Sequence, residues 1–197
     1  MARPFRQQAD ESILDSAAAL FARRGFAKTS VQDVADAVGL SKAGLLHHFP
    51  SKDALWGAVL EQVRSLGERV LEQVQDMPAG PERDRRALEV LLDAAFGHPG
   101  LVALVLDPLT LDDSAARVPE LDAVADTALR AFGVDRTVPV TERSVRVVGA
   151  LAALAVLTLA AHAEDQTTAW RQHIVATCFD ALGHGSSGSL PASDQET

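Results

Sequence analysis

The side chains that could carry covalent or metal chemistry are few, and their spacing forms no recognisable site. Cys178 is the one cysteine, and no histidine stands at an interpretable spacing from it. His47 and His48 are adjacent, and successive helical residues point in different directions, which prevents joint chelation of one ion. The other histidines are scattered at His98, His162, His173 and His184. With no G-x-S-x-G and no nucleotide-binding loop either, we expect no enzyme, no metal and no cofactor.

Side chains that can bind phosphate are instead concentrated near the N-terminus. Residues 1–56 contain seven Lys and Arg against six Asp and Glu, whereas the other 141 residues contain 11 against 21. This uneven charge lets the N-terminal part approach nucleic-acid phosphate while the acidic remainder is repelled. An ordinary solvated surface can show the same balance, so the interpretation depends on the elements that position these residues.

The N-terminal part is predicted to form a helix-turn-helix. Apolar residues at helical spacing predict helices over 8–24, 31–38 and 42–48. Gly25, Gly39 and Pro50 end them. Ser30, with Asp33 three residues later, is typical of a capping box, and Ser41 is expected to cap the third helix.

Apolar side chains of these helices can close a small core and leave a polar outer side. The predicted core consists of Leu20, Phe21, Val31, Val34, Ala35, Val38, Leu40, Leu45 and Phe49. The residues left outside are Gln32, Lys42, Ala43, Gly44, Leu46, His47 and His48. Small residues let the backbone approach base edges, while Lys42, the two histidines and Lys52 can donate to phosphates. The helix starts at Ser30 and Ser41 add backbone N–H donors.

The rest of the chain is predicted to be a helical body. Ser51 begins a long helix over 52–75, and the break at Met77–Pro81 comes after it. Further helices are expected at about 82–96, 99–109, 118–132, 140–163 and 168–182. No segment alternates as a strand does, so the fold class is all-α with about nine helices. The expected domains are a DNA-binding domain over 1–51, with its motif at about 30–49, a helical domain over 52–183, and a disordered tail over 184–197.

The uncharged stretch Val147–Ala163 raises the alternative of a membrane span. It is short for a span, rich in alanine and interrupted by Thr158 and His162. Packing on two sides, against the chain's own core and a partner subunit, explains it better. No apolar segment follows the N-terminal arginines, and one cysteine allows no intramolecular disulfide, so we expect a cytoplasmic protein without membrane contact.

The segment TSVQDVADAVGLSKAGLLHHFPSKDALWGAVLE, from Thr29 to Glu61, resembles the DNA-binding domain of TetR-family regulators. The resemblance covers about residues 9–60 and includes the exit His48-Phe49-Pro50-Ser51-Lys52. It implies binding to double-stranded DNA at a pseudo-palindromic operator. Lys52, His48 and the hydroxyl of Thr29 or Ser30 would then contact phosphate, with residues 41–47 in the major groove. The full set of predicted DNA contacts is Thr29, Ser30, Gln32, Ser41, Lys42, Ala43, Gly44, Leu46, His47, His48 and Lys52.

Two positions depart from the usual pattern of that family. Members commonly carry Thr where this chain has Gly44 and Tyr where it has Leu46. Direct readout of bases is therefore expected to be sparse, with Lys42, Gln32 and DNA shape supplying much of the specificity. The alternative is a helical ligand-binding module with weakened or lost DNA recognition.

The resemblance also implies that the C-terminal helices bind a small molecule and pair two subunits into a homodimer. The expected ligand-binding residues are Phe96, His98, Leu101, Leu104, Leu109, Thr158, His162 and Trp170. The expected dimer interface consists of Val148, Leu151, Leu154, Ala155, Leu159, Ile174, Cys178 and Leu182. The predicted function is a transcriptional repressor that an unknown effector releases from its operator, with activation as the other direction of control.

Overall fold

The computed structural model describes residues 3–106 and 119–185, and each regular element in them is helical. The helices are α1 (Arg3–Arg24), α2 (Val31–Ala37), α3 (Lys42–His48), α4 (Lys52–Glu72), α5 (Pro81–Gly97), α6 (Pro99–Leu106), α7 (Pro119–Ala131), α8 (Glu142–Ala163) and α9 (Thr167–Phe179), and a π-helical turn (Asp180–His184) follows α9. This confirms the all-α fold class.

Local signals fix the C-terminal end of α1 and both ends of α2 and α3 as predicted, to within one residue, whereas α1 begins at Arg3 and not at the predicted residue 8. The Ser30 hydroxyl accepts from the Asp33 N–H at 3.1 Å, and the Asp33 carboxylate accepts from the Ser30 N–H at 2.7 Å, which completes the capping box. Ser41 and Ser51 accept the N–H groups of Gly44 and Ala54 in the same way. Gly25 and Gly39 follow α1 and α2 with φ of 77° and 70°, a conformation that favours glycine.

The first three helices form a head (residues 8–51) around one apolar cluster. Val34, Ala35 and Leu45 are buried against Leu20 and Phe21 of α1, as predicted. The cluster continues into α4, because Leu55, Val59 and Val63 are buried in it as well. The Phe21 ring also meets the edge of Trp56 at 5.1 Å between centroids. The first half of the long helix α4 is therefore part of the core of the head.

The body (residues 73–106 and 119–185) has a second core among α5, α8 and α9. Leu88 and Leu92 of α5 pack there with Ala150 and Leu154 of α8 and Ile174 of α9. The axes of α5 and α6 differ by 109° across the break at residue 98. This bend turns the start of α6 away from the body core and towards α1.

Helix α8 is the segment for which a membrane span was considered. By length and hydropathy it could cross a membrane, and it is the one continuous helix of the described residues that could. One side of it is buried against the body through Val147, Ala150 and Thr158. The opposite side is apolar and exposed, with Val145, Val148 and Val156 all outside the core. The helix therefore has one satisfied face and one unpartnered face.

A buried carboxylate ties three parts of the body together. Asp84 on α5 is 1% exposed, and Arg143 of α8 donates to one of its oxygens at 2.6 Å. His184 lies 2.6 Å from the other oxygen. His184 is the first residue of the tail that was predicted to be disordered, and this contact holds it against the body. Residues 186–197 lie outside the described part.

Candidate nucleic-acid interface

The outer side of α3 presents polar and small side chains to solvent. Lys42, Ala43 and His47 are exposed. In the described part of the chain, neither the Lys42 ammonium nor the His47 ring has a hydrogen-bond partner, although the His47 ring meets that of His48 at 6.1 Å. Lys42 and His47 can thus donate to an incoming ligand without breaking a bond inside the protein.

Other predicted contact residues are engaged within the head. The Gln32 amide donates to Asp36 at 2.6 Å, and His48 Nδ1 lies 2.6 Å from an oxygen of Asp10 on α1. The His48 contact joins α3 to α1 across 38 residues, which no local pattern could have indicated. Both bonds hold these side chains at the edge of the exposed α3 face. To contact DNA, Gln32 or His48 would have to keep its present partner as well or give it up for the DNA.

Thr29 does not face the solvent, which corrects its predicted role as a phosphate contact. Its side chain is 1% exposed, and its hydroxyl donates to the carbonyl of Gly25 at 2.9 Å. The hydroxyl therefore satisfies a carbonyl at the end of α1. Ser30 is exposed, but its hydroxyl serves the capping box, in which hydrogen bonds from Ser30 hold the pKa of the Asp33 carboxyl below its usual range.

The side chains in the middle of α3 project little from the surface of the helix. Gly44 and Leu46 are only partly exposed. A Cβ on Gly44 would lie 3.2 Å from the Ser41 hydroxyl oxygen, which already accepts the Gly44 N–H. A larger residue here would therefore press on the cap of α3. The bare centre leaves Lys42 at one end and His47 at the other as the prominent groups.

The predicted ligand-binding residues lie in different surroundings in the described structure. Leu101 and Leu104 of α6 are buried in the head cluster, and Thr158 is buried with its hydroxyl bonded to Leu154 of its own helix. These three side chains are buried within the chain, and their role as pocket lining stays a prediction. Phe96 and His162 lie together, since His162 Nε2 is 3.1 Å from the Phe96 carbonyl. Trp170 packs on the body core, His98 lies at the α5–α6 bend, and Leu109 lies outside the described residues.

One groove of the described part lies elsewhere and was not predicted. It has a volume of about 320 Å³ and is lined by Arg85, Glu89, Arg171, Gln172 and Val175. Arg171 is paired with Asp93 at 2.5 Å, and Arg85 lies over the Phe179 ring at 4.2 Å. No three His, Cys, Asp or Glu side chains of the described residues are placed to hold a metal ion.

The predicted dimer interface divides into two groups. Leu154, Ile174, Cys178 and Leu182 are buried within the chain's own body core. Their assignment to the interface is therefore wrong, because helical spacing shows that a face is apolar but not which neighbour covers it. The others keep exposed surface on α8, namely Val148, Leu151, Ala155 and Leu159.

The chain is similar to known bacterial regulatory proteins. Residues 13–59 match the family model for bacterial regulatory proteins of the tetR family. An uncharacterized HTH-type transcriptional regulator of Mycobacterium tuberculosis is 30% identical over 149 residues, which are 74% of this chain and 74% of that protein. The HTH-type transcriptional repressor KstR2 of Rhodococcus jostii is 36% identical over 84 residues, 43% of this chain and 40% of KstR2, so the chain spans less than half of that relative.

The fold is similar to that of a solved regulator. The crystal structure of a TetR family transcription regulator from Marinobacter aquaeolei superimposes with a TM-score of 0.56 at 20% identity. The superposition covers 91% of this chain and 97% of that one. The likeness therefore extends beyond the head to the helical body, where it concerns the fold alone.

Proposed function

The chain belongs to the TetR family of bacterial regulatory proteins, a family of regulators and not of enzymes, and from this we propose that it is a homodimeric repressor. In this proposal it binds a pseudo-palindromic DNA operator and a small molecule releases it. The observation that carries the proposal is the exposed face of α3, where Lys42 and His47 stand free at the two ends of a bare helix centre. In a helix-turn-helix, the second helix, here α3, lies in the major groove while the first, here α2, braces it against the phosphates.

The distribution of charge supports the same orientation on DNA. Seven basic residues lie within positions 1–56, and an excess of acidic residues lies beyond them. The head can therefore approach the duplex while the body is repelled from it. Lys42 lies in the first turn of α3, where an ammonium can reach the backbone phosphate beside the groove. His47 lies in the last turn of α3, and its ring is exposed on the same side.

Selection of duplexes from a random library by the full-length protein tests DNA binding. We expect enrichment of a pseudo-palindrome, whose affinity falls linearly with salt on logarithmic axes. K42A should weaken binding to all sequences and make the salt dependence shallower, by about one unit of slope per lost phosphate contact. R69A, which removes an exposed arginine in the last turn of α4, is the matched control.

The outcome also decides between the two functions left open by the sequence. If no duplex is enriched and K42A binds nonspecific DNA as the native protein does, the repressor proposal fails. The chain would then be a ligand-binding module that has lost DNA recognition. If a duplex is enriched but the protein raises transcription from a promoter carrying it, the DNA-binding part stands and repression is wrong.

Dimerisation is supported by the unpartnered face of α8. Val145, Val148 and Val156 lie one to three turns apart on this face and are 61%, 48% and 53% exposed. Stable dimers bury about 1,200–2,000 Å² in total, and two such α8 faces packed together supply apolar surface for the centre of an interface. Two heads are also needed to reach successive major grooves, about 34 Å apart.

Matched valine variants test this interface. V156E places a charge in the centre of the α8 face, whereas V138E changes an equally exposed valine, at 54%, in the connection before α8. We expect sedimentation analysis to show a dimer for the native chain and V138E, and a monomer for V156E. Dimeric V156E with a native association constant would exclude α8 as the interface.

The effector remains chemically open, and its proposed site is the region around Phe96 and His162. The two rings meet at 5.8 Å, edge to face, at the junction of α5 and α8. Aromatic surface beside a polar ring is typical of a small-molecule site. A small-molecule library screened against the protein–operator complex should yield a compound that releases the DNA, and H162A should weaken its effect. Release that is unchanged in H162A would place the effector elsewhere.

A further inference from the structure

The N-terminus of α6 is capped by a residue of the head. Leu101 N–H donates to Asp15 Oδ1 of α1 at 3.0 Å, and the Gly100 backbone lies against Asp15 at the same place. The first N–H groups of any helix lack partners inside it, and a Ser, Thr, Asp or Asn just before the helix usually accepts them. Here that position holds His98, followed by Pro99 as the first helical residue. Asp15, 86 residues away, supplies the cap instead.

The backbones of α1 and α6 touch at the same place. A Cβ on Gly100 would lie 2.0 Å from the carbonyl oxygen of Asp15, far closer than any real contact. Only glycine therefore allows α6 to approach α1 this closely. Leu101 and Leu104, in the first and second turns of α6, are buried in the head cluster beside this contact.

The surroundings of Asp15 come from the body. Burial raises the pKa of its carboxyl, and this is the largest effect. The pKa is lowered in part by the backbone N–H groups at the start of α6 and by His98 and His162. His98 lies at the 109° bend between α5 and α6, and His162 belongs to α8. One head carboxylate is thus surrounded by polar groups from the bend, from α6 and from α8.

We propose that Asp15 is a positioning residue for operator binding, which sets the angle between head and body by capping α6 without touching DNA. The proposal rests on the DNA-binding function proposed above. The head is joined to the body covalently through α4 alone, and a single helix does not fix the rotation of what it carries. The capped contact of α1 with α6 supplies the second attachment. Because each head must meet its own groove, a small rotation at this contact displaces both copies of α3 from their half-sites.

Three variants separate the parts of this contact. D15N keeps an oxygen that can accept the α6 N–H groups, D15A removes it, and G100A forces the two backbones apart. G57A is the matched control for the last, since a Cβ on this α4 glycine meets nothing within 4 Å. D76A, which removes an exposed carboxylate between α4 and α5, is the control for D15A.

The first readout needs no DNA. Dyes on K28C in the head and D122C on α7 of one chain, diluted in unlabelled protein, report the head-to-body distance by energy transfer. We expect a wider or shifted distance distribution in D15A and G100A, and a native one in D15N and G57A. A native distribution in both D15A and G100A overturns the proposal. If D15A does not fold, the distance distribution of G100A is compared with that of G57A, and a native distribution in G100A overturns the proposal.

The second readout uses the duplex enriched by the native protein and a series of it with one base pair added or removed between half-sites. D15A and G100A should bind the enriched duplex at least tenfold more weakly and lose the preference for its spacing, while binding to an isolated half-site changes less than threefold. D15N should rescue both. Native affinity and spacing preference in D15A and G100A would overturn the positioning role alone, whereas no enrichment by the native protein would overturn the DNA-binding function itself.

Discussion

The ammonium nitrogen of Lys52 lies 2.8 Å from the carbonyl oxygen of Phe26 and 4.2 Å from the centre of the Phe26 ring. It also donates to the carbonyl of Thr29 at 3.1 Å. Lys52 begins α4, so these bonds close the connection between α1 and α2 onto the start of the long helix. Two of its three N–H donors are used in this way, and one is left for the phosphate contact that the sequence predicts.

We therefore expect Lys52 to contribute to the stability of the head as well as to DNA binding. K52M keeps the length and apolar stem of the side chain but leaves both carbonyls without their donor. It should lower the free energy of unfolding by about 1–2 kcal/mol. K42M, which changes a lysine without a partner in the described structure, should stay within about 0.5 kcal/mol of the native value. Equal effects of the two variants in urea denaturation would show that the Lys52 bonds contribute nothing.

The buried pair of Asp84 and Arg143 leads to a second stability prediction. R143A leaves the Asp84 carboxylate in the core with His184 as its remaining side-chain partner, and it also removes a 3.1 Å bond to the Phe132 carbonyl. Because Arg143 is partly exposed, we expect a loss of about 2–3 kcal/mol, below the full cost of breaking a buried pair. R146A breaks an exposed pair with Glu142 on the same helix and should cost less than about 0.5 kcal/mol. Similar denaturation midpoints for the two variants would contradict this.

Much of the fold could be predicted because its signals are local. Gly25, Gly39 and the Ser30–Asp33 box act within a few residues, and the last residue of α1 and both ends of α2 fall within one residue of where they indicate. The burial of Val34 and Leu45 follows from helical spacing in the same way. Local chemistry therefore accounts for these helix ends and for the apolar core of the head.

Contacts between distant segments could not be predicted in this way. Helical spacing identified the apolar faces of α8 and α9 but not whether the chain itself or a partner covers them, so Ile174 and Cys178 were misplaced. The hydroxyl of Thr29 was equally free to point inward or outward until the end of α1 was in place. Asp15 is an ordinary acidic residue of an amphipathic helix in the sequence, and only the 109° bend at residue 98 brings α6 to it.

Cys178 is expected to be unreactive in the folded protein. It is completely buried, and the loss of hydration raises the pKa of its thiol to about 11. The thiolate, which is the reactive form, is therefore scarce at pH 8 and screened from reagents. Ellman's reagent should label it only as fast as the protein unfolds, whereas an added cysteine at exposed Lys28 should react within seconds. Rapid labelling of the native chain at Cys178 would mean that the body opens at α9.

The pH dependence of stability provides a test of the Asp15 environment. Burial raises the pKa of Asp15 above its usual 3.8, so the folded protein favours the protonated carboxyl more than the unfolded chain does. The native chain must then lose stability, relative to D15N, as pH rises from 3.8 through the higher folded-state value. The comparison with D33N should show the opposite trend, because the pKa of Asp33 is lowered in the folded protein. The native chain is more stable than D33N above pH 3.8, and it loses this advantage as pH falls through the folded-state pKa of Asp33. The measurement is urea denaturation of the three proteins from about pH 2.5, below the usual carboxyl pKa, to about pH 7. An advantage of D15N that stays flat or shrinks with rising pH would mean that the bonds from α6 and the two histidines outweigh burial at this carboxyl.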